Sequence, residues 1–197
     1  MVVRLAANDA ATPAAFWSTI RSGGLVVYPT GTLYGLGADV FNALAIKRLQ
    51  AIKGRQGPFS VLVGSMAQLQ HYALVSQPVA GKLVDMVPGP YTVILKPAPA
   101  AAFPAALMGR GGMVGFRLDD HPFLRRTFEQ ESGVVTSSSV NRAGRTPLRH
   151  PDEILDQFGE RIDLLVDAGT LKPSQGSTVI DVTTTPWTVL RPGDGRL

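Results

Sequence analysis

Along the first half of the chain, apolar positions switch between helical and strand-like spacing, with turn residues at each switch. Ala14, Trp17 and Ile20 recur at helical spacing behind Asn8 and Asp9, which can cap a helix, and Gly23-Gly24 stops it. LVVYP follows as an apolar run short enough for a strand buried on both faces. Asn42 can cap a second helix with Leu44, Ile46, Leu49 and Ile52 turned inward, after which FSVLV reads as a strand. The pattern then predicts helices over 65–73 and 78–87, strands in YTVIL and GMVGFRL, a helix over 122–131 and the strand VVTSS. The last quarter gives a helix after Pro151, a strand near DLLV, and two β-rich runs, STVIDV and WTVL, before RPGDGRL. Helices and strands mix without strict alternation, which predicts an α/β or α+β open sheet rather than a bundle or sandwich. KPAPAAAFPAALMGRGG, rich in Ala, Pro and Gly, is expected to be a surface loop because strand patterns resume directly after it.

Composition narrows the class. At 197 residues, 45% hydrophobic and 17% charged, the chain can bury one substantial core, and a single domain over 1–197 is expected. It has no cysteine, so disulfide scaffolds, thiolate metal sites and cysteine nucleophiles drop out. The start lacks the apolar run of a signal peptide and no window reaches a membrane span, so a soluble, cytoplasmic protein with no membrane partner is expected. The formal charge is only +4, but its distribution is uneven. Between Val40 and Leu118 eight cations face one acid, Asp85, whereas from His150 onward eight acids face four cations. Such a basic stretch suits an anionic ligand held on one side, and a solvated basic face explains it equally well.

Familiar catalytic signatures are absent: there is no phosphate loop, G-x-G-x-x-G, H-E-x-x-H, EF-hand or G-x-S-x-G. His71, His121 and His150 are scattered without metal-ligand spacing and read as surface or capping residues; no metal held by the protein is expected. What remains are junctions loaded with hydroxyls. PTGTLYGLG offers Thr30, Thr32 and Tyr34 before glycines suited to tight turns, TSSSVNRAG offers three serines and Asn141, and QGSTVIDV offers Ser177 and Thr178. At any one junction, capping of backbone groups is the simpler account. In IKGRQGPFSVLV, Lys53 and Arg55 stand two apart at a helix end, without an adjacent acid. They can complement the helix dipole or hold a polyphosphate, the lysine as a point charge and the arginine as a planar fork. As surface cations, they would each contribute up to about 1 kcal/mol to stability. Arg117 ends an apolar strand, and a buried guanidinium there needs an anionic partner from either a ligand or the protein.

Taken in order, PTGTLYGLG, IKGR, PGPYT, VGFR, SSSVNRAG, GSTVID and LRPG cover about 165 residues and resemble the YrdC/Sua5 family of threonylcarbamoyl-AMP synthases. The resemblance implies an open, twisted, mixed β-sheet flanked by helices around a positively charged cleft. It implies an enzyme, a nucleotidyltransferase that converts L-threonine, bicarbonate and ATP to threonylcarbamoyl-adenylate and pyrophosphate, the first step of t6A modification of tRNA. It also implies magnesium carried on the ATP phosphates, and hand-over of the product to a threonylcarbamoyl-transferase complex. By position, Thr32, Arg117 and Ser177 match residues that hold threonine. Lys53, Arg55, Ser139, Asn141 and Arg191 match the ATP side, with Lys53 and Arg55 as the catalytic cations. The pattern departs from the family where K-x-R-P reads Lys53-Gly54-Arg55-Gln56, where some members carry a histidine and this chain has Leu62, and where R-x-P reads Arg117-Leu118-Asp119. Because the chain closes just after LRPG, the short type without an additional C-terminal domain is expected. Two other readings stay open. One is an RNA-binding module using Arg142, Arg145 and Arg149, and so touching tRNA directly; the other is a paralogue acting on a different carbamoyl or nucleotide substrate.

Overall fold

The computed structural model describes residues 1–196. Its strands are β1 (Val3–Ala6), β2 (Val26–Pro29), β3 (Tyr34–Gly37), β4 (Ser60–Leu62), β5 (Tyr91–Leu95), β6 (Val114–Arg117), β7 (Val135–Ser139), β8 (Leu164–Asp167), β9 (Thr178–Asp181) and β10 (Thr188–Arg191). They form one open mixed sheet in the order β1-β8-β2-β3-β7-β4-β6-β5-β9-β10. Six helices flank it: α1 (Thr12–Arg21), α2 (Ala43–Lys53), α3 (Met66–Tyr72), α4 (Gln77–Leu83), α5 (Pro122–Gln130) and α6 (Pro151–Phe158).

β2 shows why the sheet is covered on both sides. Its residues are all buried, and alternation sends Val27 to one apolar cluster and Val26 and Tyr28 to the other. The Val27 side gathers Leu49 and Ile52 of α2, Leu69 of α3, Leu83 of α4 and Phe158 of α6. On the opposite side α1 and α5 pack together. Phe16 meets the Trp17, Tyr28 and Phe123 rings edge-on, and the Trp17 indole donates to the Thr127 carbonyl at 2.8 Å. Asn42 caps α2 as the sequence indicates, its Oδ1 accepting from the amides of Leu44 and Ala45. His121 and His150 cap α5 and α6 through Nδ1.

Val3–Ala6, to which the sequence pattern assigns no element, is a strand that pairs in parallel with β8, and three local expectations need correction. The first helix begins at Thr12, because Asp9 closes a turn onto the Ala11 amide instead of capping the helix directly. The 99–112 segment is not simply a surface loop: it winds through three short 3-10 turns that bury Ala101, Phe103 and Leu107, and Phe103 stacks on Phe41. Gly35 and Gly37 do not make a tight turn; they lie in β3, antiparallel to β2. Being two apart they leave one side of β3 bare, and the Tyr28 ring fills that space, so a Cβ would fall 2.9 Å from the ring at Gly35 and 2.7 Å at Gly37. The Tyr28 hydroxyl then reaches the Thr136 carbonyl at 2.8 Å, tying β2 to β7 across β3.

Gly37→Ala is therefore expected to lower the free energy of unfolding by about 1–3 kcal/mol through overpacking against Tyr28. Asparagine at Gly54, whose left-handed backbone has open space around it, should cost less than about 1 kcal/mol. Denaturant melts of the two variants side by side check the difference.

Candidate active site

The hydroxyl-bearing junctions converge beside a group of cations. Thr30 acts within the loop after β2: its hydroxyl donates to the Leu33 carbonyl at 2.6 Å and accepts from the Thr32 and Leu33 amides. Thr32 Oγ1 lies 3.2 Å from that hydroxyl and accepts from Arg117 Nη2 at 3.2 Å. Tyr34 is structural; its hydroxyl donates to the Gly169 carbonyl and accepts from the Ala168 amide, and desolvation pushes its pKa up to about 12. Ser177, just before β9, shares a 2.7 Å hydrogen bond with Thr92 of β5. Arg191, at the end of β10, donates to the Ser177 carbonyl at 2.8 Å. The segment after β10 folds over this turn so closely that a Cβ at Gly193 would lie 2.4 Å from the Gly176 carbonyl oxygen. Only glycine allows that approach.

Lys53 and Arg55 part company at Gly54, whose left-handed conformation ends α2. Lys53 turns inward and is 2% exposed; its Nζ donates to the Ser139 carbonyl at 2.6 Å and to Asn141 Oδ1 at 2.7 Å. This corrects the expectation of a surface cation. Ser139 Oγ donates to the same Asn141 oxygen at 2.6 Å, and Asn141 Nδ2 donates to the Arg145 carbonyl at 2.5 Å, so one amide organises the whole turn after β7. Arg55 turns the other way, its Nη1 on the Pro58 carbonyl at 2.8 Å and its guanidinium 4.6 Å above the Phe59 ring.

Two adjoining cavities result. The larger, of about 260 Å³, is lined by Thr32, Arg117, Ser139, Asn141, Ser177 and Arg191 among others. The smaller, of about 220 Å³, has Arg55, Ser60 and Thr92 on its walls and again Arg191, which joins the two. Lys53 lines neither; it stands behind the Ser139–Asn141 wall. Desolvation, with Arg55 adding to it, brings the Lys53 ammonium down to about 8. Desolvation followed by the neighbouring cation likewise lowers Arg55, beside Arg191, and Arg191, beside Arg117. Among the described residues no acid pairs with Lys53, Arg55 or Arg191, whereas Arg117 is paired with Asp119 at 2.8 Å. Among the wall residues outside the site assignment made from sequence are Ser137, whose buried hydroxyl has no partner among the described residues, and Arg145. Ser137 was legible, being two before Ser139 on the same strand face.

A family model described as Telomere recombination, covering the Sua5, YciO and YrdC proteins, matches residues 18–193. The chain belongs to that family. Among Sua5/YciO/YrdC relatives, a putative threonylcarbamoyl-AMP synthase of Mycobacterium tuberculosis is 33% identical over 177 residues, covering 88% of this chain and 80% of its own. The threonylcarbamoyl-AMP synthase of Marinobacter nauticus is 32% identical over 172 residues, covering 84% of this chain and 88% of its own. The crystal structure of Pyrococcus abyssi Sua5 complexed with L-threonine superposes with a TM-score of 0.87 at 27% identity, over 98% of this chain and 57% of that one. The sheet described above is thus the Sua5/YciO/YrdC fold, and this chain spans a little over half the length of the Pyrococcus protein.

Burial of Lys53 changes what its removal should do. Lys53→Ala strips a donor from the Ser139 carbonyl and from Asn141, and is expected to cost about 1–3 kcal/mol of stability. Arg55→Ala, at a partly exposed site, should cost less than about 1 kcal/mol. Urea titrations of both variants measure the gap.

Proposed function

We propose that this chain is a threonylcarbamoyl-AMP synthase, joining L-threonine, bicarbonate and ATP into threonylcarbamoyl-adenylate with release of pyrophosphate. The observation that carries this reading is that Arg191 lines both cavities, so an amino-acid carboxylate in the one would be continuous with phosphates in the other. Threonine would place its carboxylate against Arg117, with Thr32 and Ser177 as hydroxyl partners. Arg55 and Arg191 would take the triphosphate, Ser139 and Asn141 would position it, and Lys53 would act through that wall. Once bicarbonate has carboxylated the threonine amine with loss of water, a carbamate oxygen attacks the α-phosphorus and pyrophosphate departs. The acceleration comes from positioning and from cations placed where negative charge gathers, which is why no acid–base dyad is needed.

Magnesium fits this scheme as a companion of the nucleotide. The cleft walls offer serine and threonine hydroxyls, and among the described residues no group of three or more His, Asp or Glu sits together to hold a metal. When bound with the nucleotide, the ion would supply compensation of phosphate charge. The adenylate then calls for a transferase that moves the threonylcarbamoyl group to tRNA in t6A synthesis. A direct RNA-binding role draws less support, because the basic RAGRTPLRH stretch is divided: Arg145 lines the larger cavity and Arg149 is engaged with the Leu171 carbonyl. Among the described residues no helix is long and apolar enough to cross a membrane.

Pyrophosphate release should require threonine and bicarbonate together, and Arg55→Ala should lower the rate by roughly 100-fold or more. Release indifferent to threonine would overturn the reading. A pH dependence also follows. Only the protonated Lys53 attracts phosphate, and its pKa lies at about 8 in the free protein. The specificity constant for ATP should therefore fall as pH rises through about 8, while the limb in kcat lies higher because the bound polyanion favours the ammonium. Lys53→Arg should remove that limb, since a guanidinium stays charged throughout.

A further inference from the structure

Arg117 is claimed from two sides. On one it lines the larger cavity with Thr32; on the other, Asp119 Oδ2 accepts from Nη2 at 2.8 Å. The Asp119 side chain is 1% exposed and that of Arg117 is 9%, so water screens the pair little. Asp119 is itself held firmly: Oδ1 accepts from the Gly31 amide at 2.8 Å and from the His121 amide at 3.0 Å. It does not line the Thr32 cavity but a neighbouring, mainly apolar one of about 400 Å³, with Leu62, Leu118 and Phe128. Asp119 therefore stands outside the cavity that a ligand would enter beside Arg117, and Arg117 Nε is buried without a partner among the described residues. Such a ligand meets a cation whose charge is already balanced. Its own carboxylate would become the second negative group on one guanidinium, and the two would repel each other.

We propose that Asp119 is a positioning residue that fixes Arg117 and damps its pull on a substrate carboxylate, so that amino-acid selection in this cleft leans on the hydroxyl contacts of Thr32 and Ser177 more than on charge. The inference rests on the placement of threonine at Arg117 proposed above. Asp119→Asn is the informative change. Asn Oδ1 can still accept from the Gly31 and His121 amides, while Nδ2 replaces the oxygen that holds Arg117 and ends the ion pair.

The test is calorimetric titration of the whole protein with L-threonine and with L-threoninamide, in which the carboxylate is replaced by a neutral amide. In the parent protein the two should bind within about tenfold of one another. In D119N threonine should tighten by roughly tenfold and threoninamide hardly at all, which widens the ratio. Thermal melts report folding, and D119S serves as a second charge-removing variant should D119N prove unstable. Adding R117Q to D119N should collapse the ratio again, as a purely structural role for Asp119 would not require. An unchanged ratio in both single variants, or weaker threonine binding in D119N, overturns the inference while leaving threonine at Arg117. No threonine binding by any of these proteins overturns the Arg117 placement and this inference with it.

Discussion

The architecture of the cleft depends on holding a lysine ammonium out of water without a carboxylate. Lys53 has only a carbonyl and an amide oxygen for partners, one from Ser139 at the end of β7 and the other from Asn141 in the turn that follows. That contact fixes the end of α2 against the sheet, and through Asn141 it fixes the 142–145 loop as well. With Lys53 committed inward, the turn at Gly54 delivers Arg55 to the opposite wall, over Phe59. An acid beside Lys53 would satisfy the charge more cheaply and would cancel the attraction for anions. Desolvated cations close to one another keep that attraction, and an entering polyanion relieves their mutual repulsion.

Asp119 applies the opposite logic a short distance away. Where the proposed function puts phosphates the charges stay uncompensated; where it puts threonine, with its carboxylate and amine, Arg117 is balanced by a neighbour on its own chain. One cleft thus presents two electrostatic environments joined by Arg191.

Much of this was legible in the sequence where the signal is local. The Asn42 cap, the doubly buried LVVYP strand and the helix period of α2 depend on residues within a few positions of one another. The need of Arg117 for an anionic partner was legible too, but the choice of Asp119, two residues on, was left open between ligand and protein. The capping account of junction hydroxyls proved right for Thr30, while Thr32 beside it faces the cavity. What stayed hidden depends on distant partners. β3 looked like a turn because glycine signals flexibility, yet Gly35 and Gly37 are small to admit a ring from β2. Phe103 and Leu107 show no period in an Ala- and Pro-rich stretch, yet both are buried, Phe103 against Phe41 and Phe116 from elsewhere in the chain. Lys53 reads as a surface cation at a helix end, and its burial is decided by a turn 86 residues away.

The position of Arg191 carries a further meaning. It sits on β10, an edge strand whose residues are all exposed and whose one partner in the sheet is β9. Edge strands with few buried contacts open at lower free energy than the centre of a sheet. The cation that joins the two cavities therefore belongs to a margin of the sheet, and opening of that margin would withdraw a wall from both at once. Capture of substrates and escape of the adenylate with pyrophosphate would then share a single structural event, peeling of the sheet margin, with the interior strands standing still.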